Sequence, residues 1–196
     1  MAVGLLSDRV GLRPLTRDDL PAVLAWNQNQ EIVALMGQTM TTEEDLVRWW
    51  HDMGVTAGRL AFAVLLNGRL IGEVDLEHIS WRSLEAEVRI CIGYTHLWNK
   101  GYGTEALSRL LVHSYGHLGL RLVYLRVLEH NVRAIKSYEK LGFKKRARLM
   151  PTGHLAGGSA VWLMELDAAA FFRRQEHAYG QIDRARSASC MWAADE

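Results

Sequence analysis

Asn67-Gly68 stands between two runs of strand-forming residues, Leu60 to Leu66 and Arg69 to Ile79. A type I′ turn needs positive φ at both central residues, and Asn-Gly meets that need at low cost, so these runs form a β-hairpin. After a polar break at Ser80-Trp81-Arg82-Ser83 the pattern alternates again from Glu85 to Gly93. Three antiparallel strands in succession argue against a doubly wound parallel sheet.

The chain has 196 residues, 49% of them apolar and 23% charged, which suits one core and excludes wholesale disorder. We expect one domain over 1–178 and a flexible polar tail over 179–196. Lys plus Arg number 23 against 22 Asp plus Glu. So even a balance offers no global field to draw in nucleic acid or an anionic membrane. The two cysteines, Cys91 and Cys190, lie far apart, and Cys91 falls in a strand pattern. A reducing, cytoplasmic setting without disulfides is therefore expected. The start Met-Ala-Val-Gly-Leu-Leu-Ser-Asp-Arg has no basic leader, so neither a signal peptide nor a membrane span is expected.

Arg9 to Leu15 reads as a first strand, and Thr16-Arg17-Asp18-Asp19 as a capping box that starts a helix running to about Gln28. Carboxylates at Glu43, Glu44 and Asp45 favour a second helix start, with Leu46, Trp49, Trp50 and Met53 on one face. The sheet is completed by Arg121 to Leu128, Phe143 to Leu149 and Ser159 to Asp167, and a last helix passes through Phe171, Phe172 and His177.

Chemistry concentrates in two windows. In the first, the strand residues Ile90-Cys91-Ile92 lead to Trp98-Asn99-Lys100-Gly101-Tyr102-Gly103-Thr104 and then to a helical pattern carrying Ala106, Leu107, Leu110, Leu111 and Ser114. A glycine loop at a helix start aims main-chain N–H groups at one point beside the positive end of the helix dipole, a cradle for phosphate oxygens. Neither the Gly-Lys-Ser/Thr ending of a P-loop nor the third glycine of a dinucleotide fold follows. The second window runs from His130 to Phe143, with Asn131 placed to cap a helix and Gly142 to stop it.

Together these windows resemble the GCN5-related N-acetyltransferase (GNAT) family. The first is similar to its acyl-CoA pyrophosphate loop, Gln/Arg-x-x-Gly-x-Gly/Ala. The second is similar to its Asn-x-x-Ala-x-x-x-Tyr-x-x-x-Gly-Phe signature, here Asn131, Ala134, Tyr138, Gly142 and Phe143. Trp98 stands where Gln or Arg is usual, which resembles the branch that acetylates ribosomal-protein N-termini and polyamines. The stretch Gly93 to Leu97 is about one residue longer than in that branch.

The resemblance implies an α/β fold with a mixed, mainly antiparallel sheet flanked by helices, and acetyl-CoA as acyl donor. Lys100, Gly101, Tyr102, Gly103 and Thr104 would hold the pyrophosphate, with Trp98 and Asn99 leading into the loop. Ile90, Cys91 and Ile92 would pair with the pantetheine arm, and Asn131 and Ala134 would bind it near the thiol. The acyl group would enter a gap between the Glu85–Gly93 and Arg121–Leu128 strands. Tyr138 would protonate the departing sulfur, and a strand N–H at Ile90 or Cys91 would polarise the thioester.

Direct transfer to an amine needs the neutral nucleophile. An alkyl ammonium of pKa about 10 supplies only about one neutral molecule in a thousand at pH 7. Glu87 is the preferred base, with His130 behind it. Glu73, Asp75 and Glu77 share one strand face and Glu85, Glu87 and Arg89 another; if register joins them, the cleft suits a cationic amine, and otherwise they are the wet side of a hairpin. The acceptor is expected to be an amine-bearing small molecule or a protein N-terminus, with polyamine or aminoglycoside acetylation and a non-catalytic acyl-CoA sensor as alternatives. No histidine spacing suggests a metal. Neither nucleic acid nor membrane is an expected partner, and the chain is expected to be a monomer or homodimer.

Overall fold

The computed structural model describes residues 9–36, 42–55, 58–150 and 158–177, with the backbone alone at 52–55. The expected tail over 179–196 lies outside the described residues, as do Cys190 and the side chain of Met53. Seven strands form one sheet: β1 (Val10–Pro14), β2 (Leu60–Leu66), β3 (Arg69–Ser80), β4 (Glu85–Ile92), β5 (Leu122–Leu128), β6 (Lys144–Leu149) and β7 (Val161–Asp167). Their order is β1-β2-β3-β4-β5-β7-β6, and β4–β5 is the parallel pair. The expected hairpin is present, with Asn67 at φ 50° and Gly68 at φ 77°.

Helices α1 (Leu20–Asn27), α2 (Gln30–Met36), α3 (Glu43–Val55), α4 (Tyr102–Gly116) and α5 (Val132–Leu141) accompany the strands. The capping box before α1 is real, although a short 3-10 turn, Arg17–Asp19, precedes the helix proper. Asp19 accepts from the Thr16 amide at 2.8 Å and takes both guanidinium nitrogens of Arg13 at 2.7 Å. The bonds from Arg13 bring its carboxyl down to about 2 against the cost of burial, with the Thr16 bonds adding to them. Residues 168–177 are helical, as expected, and Phe171 is buried against the ring of Tyr115.

The two faces of the sheet are covered differently. Val74, Leu76, Ala86, Val88, Val123 and Leu125 join Leu107, Leu110 and Leu111 of α4 and Ile135 of α5 in the main core. On the other face, Val23 and Trp26 of α1, Ile32 of α2 and Leu46 and Trp49 of α3 pack with Ala63 and Cys91. Trp50, expected to share the face of Leu46 and Trp49, is half-buried beside that cluster. Helix α2 was not legible in the sequence: it has seven residues, too few to be stable alone, and its partners come from distant parts of the chain. The imidazole Nε2 of His130 lies 3.2 Å from the Ala34 carbonyl, and Asn131 Nδ2 donates to the Leu35 carbonyl at 3.3 Å.

Candidate active site

Strand β4 is paired with β5 only at Glu85, Ala86 and Glu87, opposite Leu122, Val123 and Tyr124. Beyond that point both strands continue, β4 to Ile92 and β5 to Leu128, without pairing. The parting opens a cavity of about 690 Å³, lined among others by Ile90, Ile92, Gly103, Arg126, Asn131 and Tyr138.

The backbone of β4 is what this gap exposes. The Gly93 amide donates to the Ile71 carbonyl at 2.9 Å, and groups in an antiparallel ladder alternate in direction. Arg89 and Cys91 therefore turn their amides toward β3, and Val88, Ile90 and Ile92 turn theirs toward the gap. Of the two amides expected to polarise an acyl carbonyl, that of Ile90 faces the gap and that of Cys91 is used in the sheet. The Ile92 carbonyl accepts the indole N–H of Trp98 at 2.8 Å.

Beyond β4 the chain makes a short 3-10 turn over Thr95–Leu97 and then enters α4. Gly101 is the N-cap, at φ 86°, a conformation that a Cβ would strain. It brings no side chain to the helix end. The first amides of α4, from Tyr102, Gly103 and Thr104, have no intrahelical acceptor, and these residues line the cavity. They form the anion cradle. Asn99, at φ 60°, also lines it, whereas Lys100 is exposed at the rim.

Across the gap, the Asn131 side chain accepts from the Ala134 amide at 3.2 Å and so caps α5. Tyr138, one turn on, packs its ring 5.9 Å from that of Phe143. Burial raises its hydroxyl to about 12, partly opposed by the charge of Arg133, so it keeps its proton throughout the neutral range. Burial likewise pushes the Cys91 thiol up, which leaves it a poor nucleophile. The guanidinium of Arg133 stacks 3.6 Å above the Trp98 ring and ties the start of α5 to the loop that leads into α4.

The acidic stripes do meet. Register sets Glu73 opposite Cys91, Asp75 opposite Arg89 and Glu77 opposite Glu87, all on the face beneath α1–α3. All four carboxylates are buried, with no more than 8% of any residue exposed, so the wet-face alternative is corrected. Glu77 accepts from Arg59 at 2.5 Å and Arg89 at 3.3 Å. Burial would raise its carboxyl, but a hydrogen bond from Asp75 and these two cations bring it below the ordinary range. Asp75 is raised well above it by burial, against the pull of Arg89.

Glu87 is not the free base expected of it. Arg126 donates to both of its oxygens, at 2.8 and 2.6 Å, and His78 Nδ1 lies 3.3 Å from the second. His130, the second candidate, is occupied with α2. The sequence signal for Arg126 lies in its position two residues after Tyr124, which puts it on the same face as the Glu87 side chain. Among the described residues no group of three or more His, Cys, Asp or Glu is arranged to hold a metal ion, and no helix is long and apolar enough to cross a membrane.

A family profile described as "Acetyltransferase (GNAT) domain" matches residues 9–144. The chain belongs to the GNAT acetyltransferases. Its reaction is acetyl transfer from acetyl-CoA to an amine. A spermidine N(1)-acetyltransferase of Escherichia coli is 30% identical over 146 residues, covering 72% of this chain and 76% of that one. An uncharacterised protein of Methanocaldococcus jannaschii is 29% identical over 166 residues, 81% of this chain, which spans only 31% of the length of that relative. Among solved structures, spermidine N-acetyltransferase from Vibrio cholerae in complex with CoA and spermine superposes with a TM-score of 0.77 at 25% identity, covering 85% of this chain and 99% of that one.

Proposed function

We propose that the acceptor of this acetyltransferase is a small aliphatic primary amine of the polyamine type. The observation that carries this reading is the meeting of the acidic stripes of β3 and β4 on one covered face, next to the open end of the gap. Buried carboxylates persist only where a cation or a proton compensates them. Three guanidiniums pair with Glu77 and Glu87 and Asp75 is compensated by its proton, whereas Glu73 Oε2 has no hydrogen-bond partner among the described residues and can accept an N–H from an incoming ammonium. A single ammonium of the acceptor fills that role, and its other amines stay toward solvent. The named activities of the E. coli and V. cholerae relatives point the same way.

In this reading acetyl-CoA lies with its pyrophosphate on the amides of Tyr102, Gly103 and Thr104, aided by Lys100. Asn99 and Trp98 shape the entry. The pantetheine arm pairs with the gap-facing edge of Ile90 and Ile92, passing Cys91, Asn131 and Ala134. The Ile90 amide polarises the thioester carbonyl, and the charge growing there is stabilised by a donor fixed before reaction. Tyr138 gives its proton to the departing sulfur. Glu77 and Glu87 act on the acceptor side by pairing with Arg59, Arg89 and Arg126, and Asp75 by its hydrogen bond to Glu77.

Thiol release from acetyl-CoA, measured with spermidine, an aminoglycoside and a peptide with a free N-terminus, tests the acceptor. Spermidine should give a kcat/KM at least about tenfold above the peptide; a peptide that outperforms it would refute the reading. Glu77→Gln should raise the KM for spermidine, because Arg59 and Arg89 would then repel the incoming cation.

A further inference from the structure

Of the four carboxylates on the covered face, Glu73 alone has a buried oxygen without a hydrogen-bond partner among the described residues. Its Oε2 is shut from solvent, and the residue as a whole is 8% exposed. An acceptor oxygen left so forfeits its hydrogen bonds to water without replacement, at a greater cost if charged, and a native fold retains such a group for a reason. The register sets Glu73 directly opposite Cys91, so their side chains stand next to each other on one face. Cys91 lines the cavity between β4 and β5, as do Tyr138 and Arg89. A second buried group, Trp49 Nε1, is also without a partner on this face, and Arg59 lies 5.6 Å over its ring.

We infer that Glu73 receives the proton of the acceptor amine, directly or through one water. The inference rests on the amine-acetylating reading of this cleft. The acceptor arrives as an ammonium beside Glu73 and gives one N–H proton to Oε2. The freed lone pair attacks the thioester carbon. An N–C bond forms, the C–S bond breaks, and the thiolate takes the proton of Tyr138. The second N–H proton, acidic once nitrogen carries the acyl group, passes to the tyrosinate. Glu73 returns its proton to solvent, so one ammonium and one thioester become one amide, one thiol and one proton.

The surroundings suit that task. Asp75 and Glu77 flank Glu73 on β3, Arg89, Glu87 and Cys91 face it from β4, and Arg59 precedes β2, whose facing residue is Ala63. The residues that α1 and α3 pack on this face are Val23, Trp26, Leu46 and Trp49, and Arg133 and Tyr138 stand across the cleft on α5. Burial raises the carboxyl of Glu73, Arg89 and Arg59 oppose that rise and Glu77 adds to it, and the outcome is about 7. A proton acceptor works best near the pH at which it operates. Glu87 is less fit, since Arg126 occupies both of its oxygens.

The test measures kcat for the full chain at saturating acetyl-CoA and spermidine between pH 6 and 9. The wild type should show a rising limb near pH 7 and then a plateau. Glu73→Gln should lower kcat about 100-fold at pH 7, replace the limb by a rate that still climbs at pH 9, and leave the acetyl-CoA Kd within twofold by calorimetry. Retention of the limb, or a kcat within threefold of wild type, overturns the inference. Should Glu73→Gln not fold, Glu73→Asp keeps the charge and withdraws the oxygen by one methylene. A lowered kcat with a displaced limb then supports the role, and unchanged values overturn it. If wild-type protein releases no thiol with any primary amine, the amine-acetylating reading itself has failed; if it does so and the Glu73 variants match it, only the role of Glu73 has.

Discussion

The two faces of β3 and β4 carry different loads. Val74, Leu76 and Val88 point into a core of hydrocarbon supplied by α4 and α5. Residues adjacent to them in sequence, Glu73, Asp75, Glu77 and Glu87, point to the opposite face, where the carboxylates lie buried and are met by the more exposed guanidiniums of Arg59 and Arg126. One hairpin thus serves both stability and chemistry, divided by the two-residue period of a strand. The apolar face gains from burying area, whereas the polar face is costly to bury and persists because Glu77 and Glu87 meet guanidiniums there. Such a division predicts that substitutions on one face change stability, and on the other activity.

The largest expected effect falls on Tyr138, whose ring packs against the apolar core and which also lines the cleft. Tyr138→Phe removes one oxygen, and kcat should fall about 100-fold or more, with the acetyl-CoA Kd and the melting temperature nearly unchanged. A large fall in melting temperature would break the division. Next come the neighbours Leu76 and Asp75. Leu76→Ala should cost about 2–5 kcal/mol in urea unfolding, since the side chain is fully buried. Asp75→Asn, one residue away, should change stability by less than about 1 kcal/mol at pH 7, because the carboxyl is already held protonated. Equal costs at the two sites would show that the faces are not distinct.

Stability against pH sharpens the contrast further. The carboxyl of Glu73 is raised from 4.5 unfolded to about 7 folded, so the native state binds the extra proton. Its contribution is full below about pH 4.5 and is lost as pH rises through 7. Glu73→Gln should remove that decline from the melting profile, and a decline that survives would place its source elsewhere. A modest effect is expected at the joint between the faces. Asn131→Ala deletes the cap of α5 and the bond to Leu35, and chemical denaturation should register a loss of about 1 kcal/mol.

Much of this architecture was legible residue by residue. Asn67-Gly68 made the hairpin, Asn131 and Gly142 bounded α5, and the apolar spacing from Ala106 to Ser114 gave the buried face of α4. Each is a local decision: a turn needs positive φ, a helix end needs an acceptor or a left-handed residue, and an amphipathic stripe needs one period. Other features escaped the reading for one shared reason, that they depend on partners far along the chain. Helix α2 is held by His130 and Asn131, about a hundred residues away. Glu87 read as a base because nothing near it in sequence reveals that Arg126 would take both its oxygens.

Local chemistry in the chain was thus enough to determine the order of the strands, the glycine loop at the start of α4 and the tyrosine on α5. Only the tertiary structure decided where β4 and β5 part, which strand amides face that parting, and which carboxylates keep a free oxygen. The reason is physical. Turns, caps and periodicity are settled within a few residues by backbone sterics and hydrogen bonding, whereas burial and ion pairing are settled by whatever the rest of the chain brings alongside.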